Sequence, residues 1–176
     1  MEITKVYSQE IPATRFIGKK YGESDRVNGN FGSKWGEAFG SGLFDTVENA
    51  AGGAEKLGEL FEDAGAYIGL MRCKGDEPFE YWIGMFTPAD TAVPEGFGYV
   101  DFPLSKLGIG WVYGSEATGE VYCHEEDVAK KLGEAGMEII NDETGACWCF
   151  ERYTCPRFTT PDDKGNIILD ICFFIK

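Results

Sequence analysis

The sequence predicts an α+β fold in which a strand-helix-strand-strand unit is written twice. The strands form antiparallel sheet, helices pack on it, and a ligand groove falls at the pseudo-twofold between the halves. Three observations lead there. Four local patterns recur in the same order in both halves of the chain, each half carries an apolar stripe at helical spacing among strand-like runs, and a loop with Pro88, Pro94 and Gly96 divides them.

The first run, Ile3 to Tyr21, mixes β-branched and aromatic residues and predicts an extended strand broken or bent at Ile11-Pro12. A glycine-rich turn follows. Phe31, Trp35 and Phe39 recur every four residues, and Leu43, Phe44 and Val47 continue the stripe along one helical face, although Gly36, Gly40 and Gly42 weaken the helix. Ala54 to Phe61 adds a short second helix. Ala66 to Arg72 and Phe79 to Phe86 predict two antiparallel strands around a turn at Lys74 to Pro78. Thr87 to Phe97 is the connecting loop, which makes half-repeats of about 1–90 and 97–176 within a single domain.

The second half echoes the first. Ile11-Pro12-Ala13-Thr14-Arg15 matches Phe102-Pro103-Leu104-Ser105-Lys106, and Tyr21-Gly22 matches Tyr113-Gly114. Gly65 through Arg72 aligns with Gly145 through Arg152, and Phe79 through Met85 with Leu169 through Ile175. Between them Val128, Leu132 and Ala135 sit at helical spacing, with Glu125, Glu126 and Asp127 in the first turn, where the helix dipole favours acids, and Gly136 as a stop. Pro156, Pro161 and Asp162 to Gly165 mark the connection between the last two strands. One such unit cannot bury both faces of its short sheet, so the halves are expected to pack about a pseudo-twofold with a cleft between them.

Composition narrows the function. Thirty acidic against sixteen basic residues give a formal net charge of -14, which repels a phosphate backbone and argues against direct nucleic-acid binding. The same field concentrates cations. With 13 Phe, 8 Tyr and 4 Trp, the chain holds more rings than an average core requires. The segment MEITKVYSQEIP lacks a basic stretch followed by an apolar run, and no run approaches membrane-spanning length, so a cytoplasmic protein with six free thiols is expected.

The segments IPATRFIGKKYG, FEYWIGMF, VPEGFGYVDFP and FERYTCPRFTTPDDKGNIILD together resemble the GyrI-like family of small-molecule-binding proteins, and the resemblance spans nearly the whole chain. That family includes effector-binding domains of AraC-type and MerR-type regulators, stand-alone drug-binding and gyrase-inhibitory proteins, and a branch that hydrolyses cyclopropane-bearing alkylating natural products. The resemblance implies a groove between the halves, lined by rings and holding a buried glutamate, which here is Glu151 in Phe150-Glu151-Arg152-Tyr153. It also implies an effector-binding domain without a DNA-reading segment of its own.

Strand alternation places Cys147, Cys149, Glu151 and Tyr153 on one face and Ala146, Trp148, Phe150 and Arg152 on the other. Tyr153 can donate to the carboxylate and leave lone pairs for a cationic ligand. The competing reading is a surface Glu151 paired with Arg72 or Arg152. Tyr67, Trp82, Trp111, Tyr113 and Phe174 are the ring candidates for the groove, each also a candidate for the core. Met71 stands where Glu151 stands in the repeat, which makes the pocket asymmetric and softens one side of it. Gly108 and Gly110 leave room for a backbone or ligand to approach, while Arg152 and Arg157 read as solvated surface residues.

No metal or cofactor is expected. Cys147 and Cys149 point to one side of a strand rather than into a zinc knuckle, and His124 stands alone near the second helix start. No P-loop or dinucleotide fingerprint is present. The leading expectation is a module binding hydrophobic, aromatic or cationic small molecules. An enzyme is the second, with Glu151 and Tyr153 as general-base machinery toward a strained electrophile. A protein-interaction module acting on a topoisomerase or a separate regulator is the third.

Overall fold

The computed structural model describes all residues, 1–176. Eight strands run as β1 (Glu2–Ile11), β2 (Thr14–Tyr21), β3 (Tyr67–Cys73), β4 (Glu80–Pro88), β5 (Gly98–Phe102), β6 (Ser105–Gly114), β7 (Cys147–Tyr153) and β8 (Ile167–Ile175). Helices α1 (Gly32–Gly40), α2 (Leu43–Ala50) and α3 (Ala54–Gly58) lie between β2 and β3, and α4 (Glu125–Glu134) lies between β6 and β7. The apolar stripe from Phe31 to Val47 is divided between α1 and α2, the chain turning at Ser41-Gly42. No helix is long and apolar enough to cross a membrane.

All eight strands form one antiparallel sheet in the order β1-β6-β8-β7-β3-β4-β2-β5. Exchanging β1 to β4 for β5 to β8 returns the same order read from the other end. The exchange point is the β3/β7 pair, where Leu70 faces Phe150, Met71 faces Cys149 and Gly69 faces Glu151. Of the two outcomes expected for the run from Ile3 to Tyr21, a bend or a break, the structure has the break, giving β1 and β2. Pro12 lies at the break, where it has no N–H to give to a ladder. Freed from β2, β1 crosses over to pair with β6, and β5, divided from β6 at Pro103, pairs with β2. Each half thus covers the other half's open edge, an arrangement that the repeats alone could not disclose.

The sheet buries apolar side chains on both faces. On one, Val47, Leu57, Val128 and Leu132 of the helices meet Val112, Ile171 and Phe173 of the strands. On the other, Phe16, Ile68, Phe86, Phe102, Phe150 and Phe174 pack among themselves with no helix over them. Phe102 on the edge strand β5 stacks on Phe174 of β8 with ring centroids 4.7 Å apart. Five strand spacings of a flat sheet would separate them by roughly 24 Å. The sheet therefore curls until its far face closes on itself. On the helical face, what approaches Gly110 is α4: a Cβ there would stand 2.6 Å from Cγ1 of Val128.

Arg152 and Arg157 are not surface residues. Arg152 is 1% exposed, and its Nε and Nη2 donate to Oδ2 of Asp170 at 2.9 and 2.8 Å, while Nη1 donates to Oε1 of Gln9 at 2.9 Å. Arg157 donates to the other Asp170 oxygen at 2.8 Å and also pairs with Asp63. Burial is tolerable because Asp170, itself 0% exposed, supplies the opposite charge within hydrogen-bond reach. The cluster ties β1, β7 and β8 to the loop after α3. Arg152→Ala leaves Asp170 with Arg157 alone and Gln9 without its donor, and is expected to cost about 3 kcal/mol, read as a lowered urea midpoint at unchanged slope.

Candidate functional site

On the helical face, along the β3/β7 seam, lies a cavity of about 1150 Å³. Tyr67 and Met71 of β3, Cys149, Glu151 and Tyr153 of β7, and Tyr81 of β4 form its floor. Trp35 and Phe39 of α1 wall one side, and Tyr122 and the first turn of α4 wall the other.

Glu151 is the ionisable centre of this floor and only 7% exposed. Its Oε2 accepts two phenolic hydrogen bonds, from Tyr153 at 2.8 Å and from Tyr81 at 3.1 Å, and Trp35 Nε1 in turn donates to the Tyr81 oxygen at 3.0 Å. Oε1 accepts no hydrogen bond from the protein and is not sealed from the cavity. Gly69 makes the arrangement possible. A Cβ at that position, directly across the ladder from Glu151, would meet Oη of Tyr81 at 2.4 Å and Oε2 of Glu151 at 2.9 Å.

The rings are fixed by one another. Tyr81 stacks on Phe31 at 4.2 Å with the planes 2° apart, and Tyr153 is held edge-on between Trp35 and Phe158, each at 4.7 Å. Phe44 stacks on Tyr67 at 3.7 Å. Such mutual support leaves few rotamers open, so the two phenols are aimed before any ligand arrives.

Burial pushes the Glu151 carboxyl up; the Tyr153 hydrogen bond pulls it down, the Glu125 charge pushes it up again, and the Tyr81 bond pulls it down, for a result of about 7. Burial also raises Tyr81 and Tyr153, which therefore stay protonated and keep donating. Neither arginine considered from sequence serves Glu151. Arg72 pairs with Glu77 at 2.9 Å, and Arg152, the next residue along the strand, points to the other face.

Of the residues singled out from sequence, Glu151, Tyr153, Tyr67 and Met71 line the cavity, and Trp82, Trp111, Tyr113 and Phe174 do not. Trp82 and Phe174 belong to the far-face core. Trp111 packs edge-on against Tyr7 at 6.0 Å beneath the Arg157 guanidinium. Tyr113 donates to Asp162 at 2.7 Å, away from the groove. The physical reason is the two-residue period of a strand, which turns each of these side chains away from the helical face. Tyr81, Trp35, Phe31 and Phe158 were missed. For Tyr81 a signal existed: the repeat equates it with Ile171, and Ile171 faces Glu151 across the β7/β8 ladder just as Tyr81 faces Met71 across β3/β4.

No protein-family model matches the chain, and no curated protein does. Solved structures match in fold. A protein of Staphylococcus aureus MU50 assigned to bacterial transcription regulation superposes with a TM-score of 0.61 at 15% identity, over 98% of both chains. SAV2435 bound to tetraphenylphosphonium gives 0.64 at 16% identity, over 98% of this chain and 94% of that one. The C-terminal domain of EcmrR gives 0.54 at 11% identity, over 98% and 97%. The chain shares its fold with these proteins.

Glu151 makes stability depend on pH in a direction opposite to that of an ordinary paired carboxylate. Its folded-state value of about 7 lies above the usual 4.5, so the folded chain holds the proton more tightly than the unfolded one. The favourable contribution is complete below pH 4.5, declines between 4.5 and 7, and is gone above 7. Its size is about 3 kcal/mol. Urea unfolding at pH 5 and pH 8 is expected to show that much less decline for Glu151→Gln than for the wild type.

Proposed function

We propose that residues 1–176 are one GyrI-like effector-binding domain, with halves at about 1–90 and 97–176, working in the cytoplasm as a sensor or sequestering protein for bulky apolar or aromatic cations. The observation that carries this reading is Glu151, a carboxylate 7% exposed, with no basic group beside it, on the floor of a ring-lined cavity. A buried anion without a counter-charge is costly, and an entering cation relieves that cost while the rings stack on its apolar body. The tetraphenylphosphonium bound by SAV2435 is a ligand of this kind, having charge and rings but no hydrogen-bond donor. Tetraphenylphosphonium is expected to quench Trp35 fluorescence saturably, and Glu151→Gln to weaken binding at least about tenfold. Since a proton competes for the same carboxylate, affinity at pH 5.5 should be about 30-fold below its high-pH limit. Equal affinity for the wild type and Glu151→Gln would refute the reading.

The proton affinity of Glu151, close to neutrality, favours one further reading, general-base hydrolysis of a strained cyclopropane-bearing alkylator. Oε1 would take a proton from water as the water oxygen bonds to a ring carbon; the C–C bond breaks, its electron pair passes into the alkylator's conjugated carbonyl system, and that system takes up a proton as the Glu151 proton is released, for a net addition of one water. Mass spectrometry distinguishes the two: turnover adds the mass of one water to the substrate, and an unchanged mass after long incubation leaves binding alone.

A further inference from the structure

The cavity contains more negative charge than a monocation needs. Glu116, Glu125 and Glu126 line it together with Glu151, and Arg26 is the sole basic residue among them. Arg26 pairs with Glu23, outside the cavity, at 2.8 Å, and its guanidinium lies over the cavity rings of Phe31 and Phe79 at 4.7 and 5.2 Å, so it offsets one of the four negative charges and leaves the rest unmet. Beside the first turn of α4, His124 is paired with Asp127 at 2.9 Å, and further along the helix Lys131 is paired with Glu134 at 2.8 Å. None of the four cavity carboxylates has a basic nitrogen within ion-pair distance.

An acidic first turn is ordinary at a helix N-terminus, and Asp127 with Glu126 would satisfy the α4 dipole. Glu125 does something further. It is half-buried at the cavity wall, and its charge is felt by Glu151 and by the Cys73, Cys123 and Cys149 thiols, all of which it pushes toward their protonated forms. Two anionic centres facing one low-dielectric space repel each other, and the repulsion is relieved only when positive charge enters. The cavity, at about 1150 Å³, is also larger than the roughly 300–1,000 Å³ of an ordinary small-molecule pocket.

Resting on the reading of Glu151 as a cation counter-charge, we infer that the preferred ligands are dications, with two separated cationic centres on one apolar frame. One centre lies against Oε1 of Glu151 among Tyr81, Tyr153 and Trp35. The second lies at the first turn of α4 against Glu125, with Glu116 and Glu126 at the rim.

Two probes of matched head group and linker test this by calorimetry at low salt: dequalinium, with two aminoquinaldinium heads on a decane chain, and N-decyl-4-aminoquinaldinium, with one. Dequalinium is expected to bind at least about 30-fold more tightly, beyond the twofold that two equivalent heads give by statistics. In the double variant Glu125→Gln with Glu126→Gln, the ratio of the two affinities should fall about tenfold, whereas Glu151→Gln should weaken both probes. Affinities within threefold of each other, or a ratio unmoved by the double variant, would overturn the dication inference while leaving Glu151 as a cation site. If Glu151→Gln weakens neither probe, the underlying reading fails as well. Retained far-ultraviolet circular dichroism and a cooperative urea transition of wild-type slope establish that each variant is folded.

Discussion

A carboxylate held out of water with no cation beside it is the constraint around which the helical face of this protein is arranged. Removing such a group from solvent costs several kcal/mol unless its charge is met or its lone pairs are filled. Here one oxygen is filled and the other is not. Tyr81 and Tyr153 come from strands of different halves and converge on Oε2, which they reach because Gly69, opposite, has no side chain in the way. Trp35 supports Tyr81 from α1, and so the helix, the seam and the carboxylate form one assembly. The stability that offsets its cost comes from elsewhere, from the apolar clusters buried on both faces of the sheet.

The neighbouring residue shows that the missing cation is not for want of one. Arg152 follows Glu151 directly, carries the opposite charge, and is buried just as deeply. Alternation sends it through the sheet to Asp170, where every charge is matched. Two adjacent ionisable residues on one strand therefore have opposite fates. The pair on the far face is structural and closed. The anion on the near face is open to a space large enough for a ligand, which is the arrangement expected of a binding site and the wrong one for a stabilising ion pair.

Much of this was legible in the sequence because it depends on periods and repeats. The echo of Gly65 to Arg72 in Gly145 to Arg152 set Met71 against Glu151, and the two-residue period put Glu151 and Tyr153 on one face. Properties set by partner choice were not legible. Nothing local to β1 says that it pairs with β6 rather than β2, and without that exchange the curl of the sheet cannot be foreseen. The same gap misplaced the tryptophans. Trp82 and Trp111 are large rings on strands, but only the curl shows that the far face needs rings of its own, and that the groove draws its tryptophan from the helical stripe at Trp35. Arg152 was misjudged because its acid, Asp170, lies eighteen residues away on a strand whose pairing had to be known first.

The two sides of the seam differ as sets rather than residue by residue. Under the exchange that maps β3 and β4 onto β7 and β8, Glu151 corresponds to Met71, Tyr153 to Cys73, Tyr81 to Ile171 and Gly69 to Cys149. One set is a carboxylate, two phenols and a gap that lets them meet; the corresponding set is a thioether, two thiols and an aliphatic chain. A second carboxylate at 71 would face the same low-dielectric cavity with Cys149 opposite it in place of a gap, and would repel the first across the seam. Met71 avoids that cost. What remains is a groove with one polar, geometrically strict wall and one soft, polarisable wall, the division that the proposed cation binding calls for: strictness toward charge on one side and tolerance of shape on the other.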